Sequence, residues 1–133
     1  MALVTRSTKA SVEVGSAQRS PQVIGIAGED IDMAAPCYID TTTGKIYMGD
    51  GTAANQKAKI AGFAVRQANA NEAVTLHGVG TVFHYQDTAG SYGAVLYVAA
   101  TKGRLDTAAT TGDAVGIAQV MPDGKSIRVT RNI

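Results

Sequence analysis

The run Tyr38-Ile39-Asp40-Thr41-Thr42-Thr43-Gly44-Lys45-Ile46 returns in outline 59 residues later as Tyr97-Val98-Ala99-Ala100-Thr101-Lys102-Gly103-Arg104-Leu105. Tyr, a β-branched residue, Gly, a basic residue and an aliphatic one recur in register. Gly62-Phe63-Ala64-Val65 matches Gly116-Ile117-Ala118-Gln119 at an offset of 54, and Val74-Thr75-Leu76 matches Ile127-Arg128-Val129 at 53. Each copy is a hairpin, a variable loop, a Gly-led strand and a closing strand. Neither copy is large enough to bury one face alone, so the two are expected to pack against each other as a sandwich or a barrel.

From Pro21 onward the apolar pattern has a period of two, broken by Gly, Asp, Asn and Thr, which is the signature of half-buried antiparallel strands. Strands are expected near 22–27, 36–40, 45–48, 60–66, 72–85, 94–99, 103–106, 114–121 and 126–130. In the last, Ile127 and Val129 fall on one face and Arg128 on the other. The preceding Met121-Pro122-Asp123-Gly124-Lys125 is a turn, because Pro fixes φ and Gly accepts a positive one. No stretch carries a sustained helical stripe. Thr52 to Ala61 offers only an alanine face, which would bury little, and reads as a loop. The fold class is therefore all-β.

A chain of 133 residues suits one domain with a single core. With aromatics at 5% and no Trp, that core must be Val, Ile, Leu and Ala. Residues 1–20 differ: they are rich in Ser, Thr and Ala, carry Arg6, Lys9 and Arg19 against Glu13, and end at Pro21. They read as an N-terminal arm ahead of a β-domain at 21–133. The alternation Ser11-Val12-Glu13-Val14 also suits a first strand. A formal net charge of +1 gives no bulk electrostatic footprint for nucleic acid. No window is apolar enough for a membrane span and no cleavable secretion signal is visible, so no membrane partner is expected and synthesis is expected in the cytoplasm.

The candidate chemistry is sparse. One cysteine, Cys37, rules out an intrachain disulfide, and with two histidines it is too little for most zinc sites built on nitrogen and sulfur. Cys37 is expected to pack as a small apolar group. His77 and His84 sit seven residues apart in the expected 72–85 strand, roughly 23 Å at 3.3 Å per residue, too far to share a metal. Glu29, Asp30 and Asp32 lack the ligand array and internal Gly turn of a calcium loop and read as a polar turn. Ser91, His84 and Asp87 supply the residue types of a hydrolytic triad, but within one local stretch rather than on converging rigid elements. Gly78-Val79-Gly80 precedes no helix and so fails as a phosphate-binding turn. Phe63, Phe83 and Tyr85 lack the interleaved basic residues of a nucleic-acid stacking platform. No catalytic residue, metal or cofactor is expected, and the chain is read as a binding or assembly module rather than an enzyme.

Several blocks together carry a resemblance: Gly28-Glu29-Asp30-Ile31, Ala35-Pro36-Cys37-Tyr38-Ile39-Asp40, Thr43-Gly44-Lys45-Ile46-Tyr47, Ile60-Ala61-Gly62-Phe63-Ala64-Val65, Glu72-Ala73-Val74-Thr75-Leu76-His77-Gly78-Val79, Gly93-Ala94-Val95-Leu96-Tyr97-Val98 and Gly112-Asp113-Ala114-Val115-Gly116-Ile117-Ala118. Over about residues 24 to 130 the chain resembles the small capsid cement, or decoration, proteins of tailed bacteriophages. The resemblance implies a non-enzymatic protein on the outer surface of a phage head. It implies the major capsid protein as partner and a homo-oligomer, a trimer above all, around local three-fold points. The polar stretch 1–20 departs from the shorter members. It supplies the expected capsid contacts, with Val12 and Val14 adding a strand to a capsid sheet edge and Arg6, Lys9 and Arg19 meeting acidic surface. The other reading is a tail-associated or host-facing module that binds cell-surface glycan, for which Tyr47, Tyr85 and Tyr92 would form the aromatic platform.

Overall fold

Short β-rich runs between turn residues become short strands. The computed structural model describes residues 3–8, 22–86 and 90–131. Among them the strands are β1 (Leu3–Val4), β2 (Gln22–Ile26), β3 (Pro36–Ile39), β4 (Ile46–Met48), β5 (Gly62–Ala64), β6 (Ala73–His77), β7 (Val82–His84), β8 (Val95–Val98), β9 (Leu105–Asp106), β10 (Ala118–Val120) and β11 (Ser126–Val129). Asn55 caps a single 3₁₀ turn at Gln56–Ala58, its side chain accepting from the Lys57 N–H, in the stretch expected to be loop. The strands form two antiparallel sheets, a small β-sandwich, with orders β2-β6-β5-β3-β4 and β1-β9-β8-β10-β11-β7.

With β1 set aside, the second sheet reads β7-β11-β10-β8-β9, the same order as the first. The expected duplication is thus a five-strand unit, β2 to β6 and β7 to β11. Its turns repeat as well as its strands. Ala34 and Gly93 both take positive φ, at 62° and 82°. Immediately after them Ala35 N–H donates to Asp32 O, and Ala94 N–H to Ser91 O. The hairpins also match: Ile39 pairs with Ile46 and Val98 with Leu105, and Gly44 and Gly103 close their loops at φ 71° and 73°. One detail moves. Cys37 faces Gly62 and Leu96 faces Ala118, so beside the first hairpin Gly62 is equivalent to Ala118 and not to Gly116. The slip is two residues, which keeps every side chain on its face, and for that reason apolar patterning does not detect it.

The expected strand 72–85 is not continuous. At Gly78–Thr81 the chain turns, with Gly80 at φ 91° and Thr81 Oγ1 donating to Gly78 O at 2.7 Å, and it crosses from one sheet to the other. This turn is the junction between the two copies. The expected strand 114–121 starts only at Ala118, because residues 113–116 are drawn into a loop around the buried Asp113 carboxylate.

The core lies in two clusters rather than one. The first unit encloses a small-residue cluster of Ala27, Ile31, Ala35, Cys37, Ile46, Ala64, Ala68, Val74 and Leu76. The second encloses a larger one that includes Phe83, Tyr85, Leu96, Val98, Leu105, Ile117, Val120, Ile127 and Val129. Phe63 projects from the first unit into this second cluster, 5.5 Å from Phe83 between ring centroids, and joins the two.

Candidate functional site

In the first unit the two sheet edges touch directly at one parallel bridge, Ala27 to Ile46. In the second unit the N-terminal segment lies between the corresponding edges. Val4 pairs with Leu105, and Ser7 N–H donates to Tyr85 O at 2.6 Å. Val4 is buried in the larger cluster. Tyr85 stands where the first unit has Ala27, since Tyr85 N–H donates to Lys125 O as Ala27 N–H donates to Glu72 O. Residues 3–7 are thus an added edge of the second sheet, a role for which Leu3-Val4 gave too short a signal.

Arg6 fastens this segment. Its Nη1 donates to Met33 O at 2.9 Å and its Nη2 to Gly103 O at 2.7 Å, so one guanidinium ties the N-terminus to both units. Asp32 lies 3.7 Å from Nη1. A cleft of about 350 Å³ opens beside it, walled by Arg6, Ser7, Thr8, Asp32, Gln67 and Arg104. Arg6 Nε, Arg104 Nε and Tyr85 Oη are all buried atoms, and the Tyr85 hydroxyl interacts with Arg6. Burial pushes the Tyr85 phenol up from its ordinary value, against the opposing pull of Arg6 and Arg104.

Of the five residues expected to contact a capsid, Arg6 is placed in this internal network. Lys9, Val12, Val14 and Arg19 lie outside the described residues, as does Asp87 of the triad grouping. The carboxylates Glu29, Asp30 and Asp32 diverge to separate partners. Glu29 accepts from Met48 N–H at 2.9 Å and pairs with Lys102, Asp30 accepts from Ala70 N–H at 3.0 Å, and Asp32 faces Arg6. His77 and His84 stand on β6 and β7, in different sheets. Cys37 is buried, its Sγ donating to Ala35 O at 3.3 Å, and burial pushes its thiol well above the ordinary range. Of the tyrosines expected to form a glycan platform, Tyr85 is fully buried and Tyr47 stacks on Tyr38 at 5.8 Å between ring centroids, leaving Tyr92 exposed.

Large apolar side chains reach solvent at several places and most fully at two. On the edge strand β2, Ile24 is 72% exposed and Ile26 45%. At the second sheet, Tyr92 is 72% exposed, Val115 69%, and Val95 on β8 is also exposed. A side chain on Gly116 would collide with Val95, which brings the 113–116 loop against that strand. Apart from Tyr92, singled out by the glycan reading, the sequence marked these residues only as strand-pattern positions. Their exposure follows from the sheet order, which leaves β2 at an edge and the outer face of β8 uncovered.

Among the described residues no helix is long and apolar enough to cross a membrane, and no group of three or more His, Cys, Asp and Glu is placed to hold a metal ion. No protein-family model matches the chain, and no curated protein matches it.

Proposed function

We propose that the chain is a structural virion protein that binds the outer surface of an assembled phage capsid and stabilises it, a cement or decoration protein without enzymatic activity. Its partner is the major capsid protein, its copies associate as trimers at local three-fold points, and it is made in the host cytoplasm. The observation that carries this reading is the exposure of Ile24, Tyr92 and Val115 on a small, well-packed β-body. Exposed apolar patches mark contact with another protein, and here one lies on β2 and the other includes Val95 of β8. The resemblance of the glycine and apolar blocks to phage decoration proteins supports it, since those blocks supply the buried Cys37, Ile46, Phe63 and Leu96 and the turns around Gly44 and Gly93.

The proposed mechanism is mass action. A protein that binds the assembled shell and not its free subunits lowers the free energy of the assembled form, and many weak contacts add up through avidity. Residues 9–20 carry the arm contacts in this reading, with Val12 and Val14 adding a strand to a capsid sheet edge and Lys9 and Arg19 meeting acidic surface. Arg6 is assigned to anchoring the segment within the domain. Heat-induced DNA release tests the reading: heads stripped of the protein are expected to release DNA at a lower temperature, and added protein restores the wild-type value. A variant with residues 9–20 replaced by a Gly/Ser linker of equal length is expected to restore it only in part. No effect of added full-length protein would refute the stabilising role.

A further inference from the structure

We propose that copies of this chain join head to tail, the outer face of β8 and β10 in one copy seated on strand β2 of the next. The chain already contains one joint of this kind. Phe63 of β5 faces away from the small-residue cluster of its own unit and packs against Phe83 of β7, and Ala34 and Ile60 of the first unit enter the same larger cluster. Pro36 of β3 is the cross-strand partner of Phe63 and shares its face. Both are buried. The first unit thus gives the outer face of β3 and β5 to the second unit at β7.

Repetition defines what this joint leaves over. In the shared strand order β8 and β10 correspond to β3 and β5, and β2 corresponds to β7. Since Gly62 is equivalent to Ala118, Phe63 is equivalent to Gln119 and Pro36 to Val95, and Gln119 and Val95 are again a cross-strand pair. In the second unit, however, this face is open: Val95 is 40% exposed and Gln119 partly so. Gln119 Nε2 donates to Gly93 O, and Gly116 abuts Val95, which brings the chain at the exposed Tyr92 and Val115 to the same face. The receiving half is open in the first unit, where β2 pairs with β6 alone among the named strands and exposes Ile24 and Ile26. Each unit therefore carries, apolar and uncovered, the half of the joint that its counterpart buries. A second copy is the occupant because the chain itself carries both halves. A joint between unlike surfaces is heterologous and builds a ring where the rotation closes. That the ring holds three copies rests on the capsid-binding reading; the joint does not.

Sedimentation velocity at rising concentration tests the joint on the full-length protein and on Ile24→Asp and Val115→Asp, alone and mixed. Both side chains are exposed, so both variants are expected to keep the fold, which their thermal midpoints check; if either midpoint falls, Ile24→Thr or Val115→Thr takes its place. Wild type is expected to associate reversibly into a species of three copies, and each variant alone to stay monomeric. Mixed in equal amounts, the two variants are expected to form a dimer and nothing larger. The Ile24→Asp copy keeps an intact β8–β10 face and the Val115→Asp copy an intact β2, so one joint can form. A monomeric wild type, or failure of the mixture to dimerise, would overturn the joint. So would association of Val115→Asp alone, the result that pairing of β2 with β2 would give. A closed wild-type species of another size would overturn the count of three and leave the joint standing. Binding to stripped phage heads is measured separately, and its absence would overturn the capsid reading without touching the joint.

Discussion

Asp113 is the side chain on which the second unit most depends. Its carboxylate is fully buried, accepting from Val98 N–H at 2.9 Å, from Gly116 N–H at 2.8 Å and from Arg131 Nη2 at 2.7 Å. It holds the 113–116 loop against β8, while Arg131 Nε closes the arrangement on Gly116 O. Removing one partner of a buried pair leaves the others desolvated and unpaired. Asp113→Ala is therefore expected to lose about 3 kcal/mol in urea unfolding. Arg131→Gln should lose less, because the backbone donors still hold the carboxylate. Val4 makes the same kind of test for the N-terminus. Val4→Ala removes two buried methyl groups and is expected to cost about 2 kcal/mol. A cost near zero would mean that the segment 3–7 is not part of the folded domain in solution.

At the scale of elements, the β10–β11 hairpin was legible because its chemistry is local. Pro122, Asp123 and Gly124 write the turn, and Ile127 and Val129 are buried as the alternation requires. Asp123 caps that turn, accepting from Lys125 N–H at 3.0 Å, from Ser126 N–H at 2.8 Å and from Ser126 Oγ at 2.9 Å. These bonds, the Ser126 N–H foremost, hold its carboxyl below its ordinary value. A depressed carboxyl contributes stability above its unfolded pKa, and that contribution is lost as pH falls through the lower folded one. Wild-type protein is thus expected to lose stability on acidification below about pH 4, and Asp123→Asn to flatten that part of the profile in thermal melts. An unchanged profile would remove Asp123 as a contributor. The β6–β7 junction was not legible in the same way. Nothing in the alternation from Glu72 to Tyr85 distinguishes a bulge at Gly78 or Gly80 from a full change of sheet, because either shifts the phase of the alternation, from Val74 and Leu76 to Phe83 and Tyr85. The two-residue slip at β5 and β10 escaped for a different reason, since it leaves every side chain on its face.

For the whole molecule, repetition in the sequence was enough to give two matched units and an all-β class, because it survives in glycine and apolar positions. What it left out is how the copies differ. At Ala27 in one the sheet edges meet directly and at Tyr85 in the other they take in a further segment, and only the spatial neighbours of these residues show that. The candidate site was hidden likewise. Arg6 and Arg104 are 98 positions apart, and only the insertion of the N-terminus beside the second hairpin brings them to one cleft. This also changes how an arm is tested. Deleting residues 1–20 would strip Val4 and Arg6 from the folded body, whereas replacing 9–20 leaves both in place. The central claim is that the protein binds an assembled shell, and co-sedimentation measures it most directly. Full-length protein and the variant with residues 9–20 replaced by a linker are each mixed with stripped mature heads and, in parallel, with unassembled capsid subunits. The account predicts saturable binding of the full-length chain to heads at a fixed ratio to the capsid protein, weak binding of the variant, and none to free subunits. Absence of saturable binding to heads, or equal binding to free subunits, would contradict it.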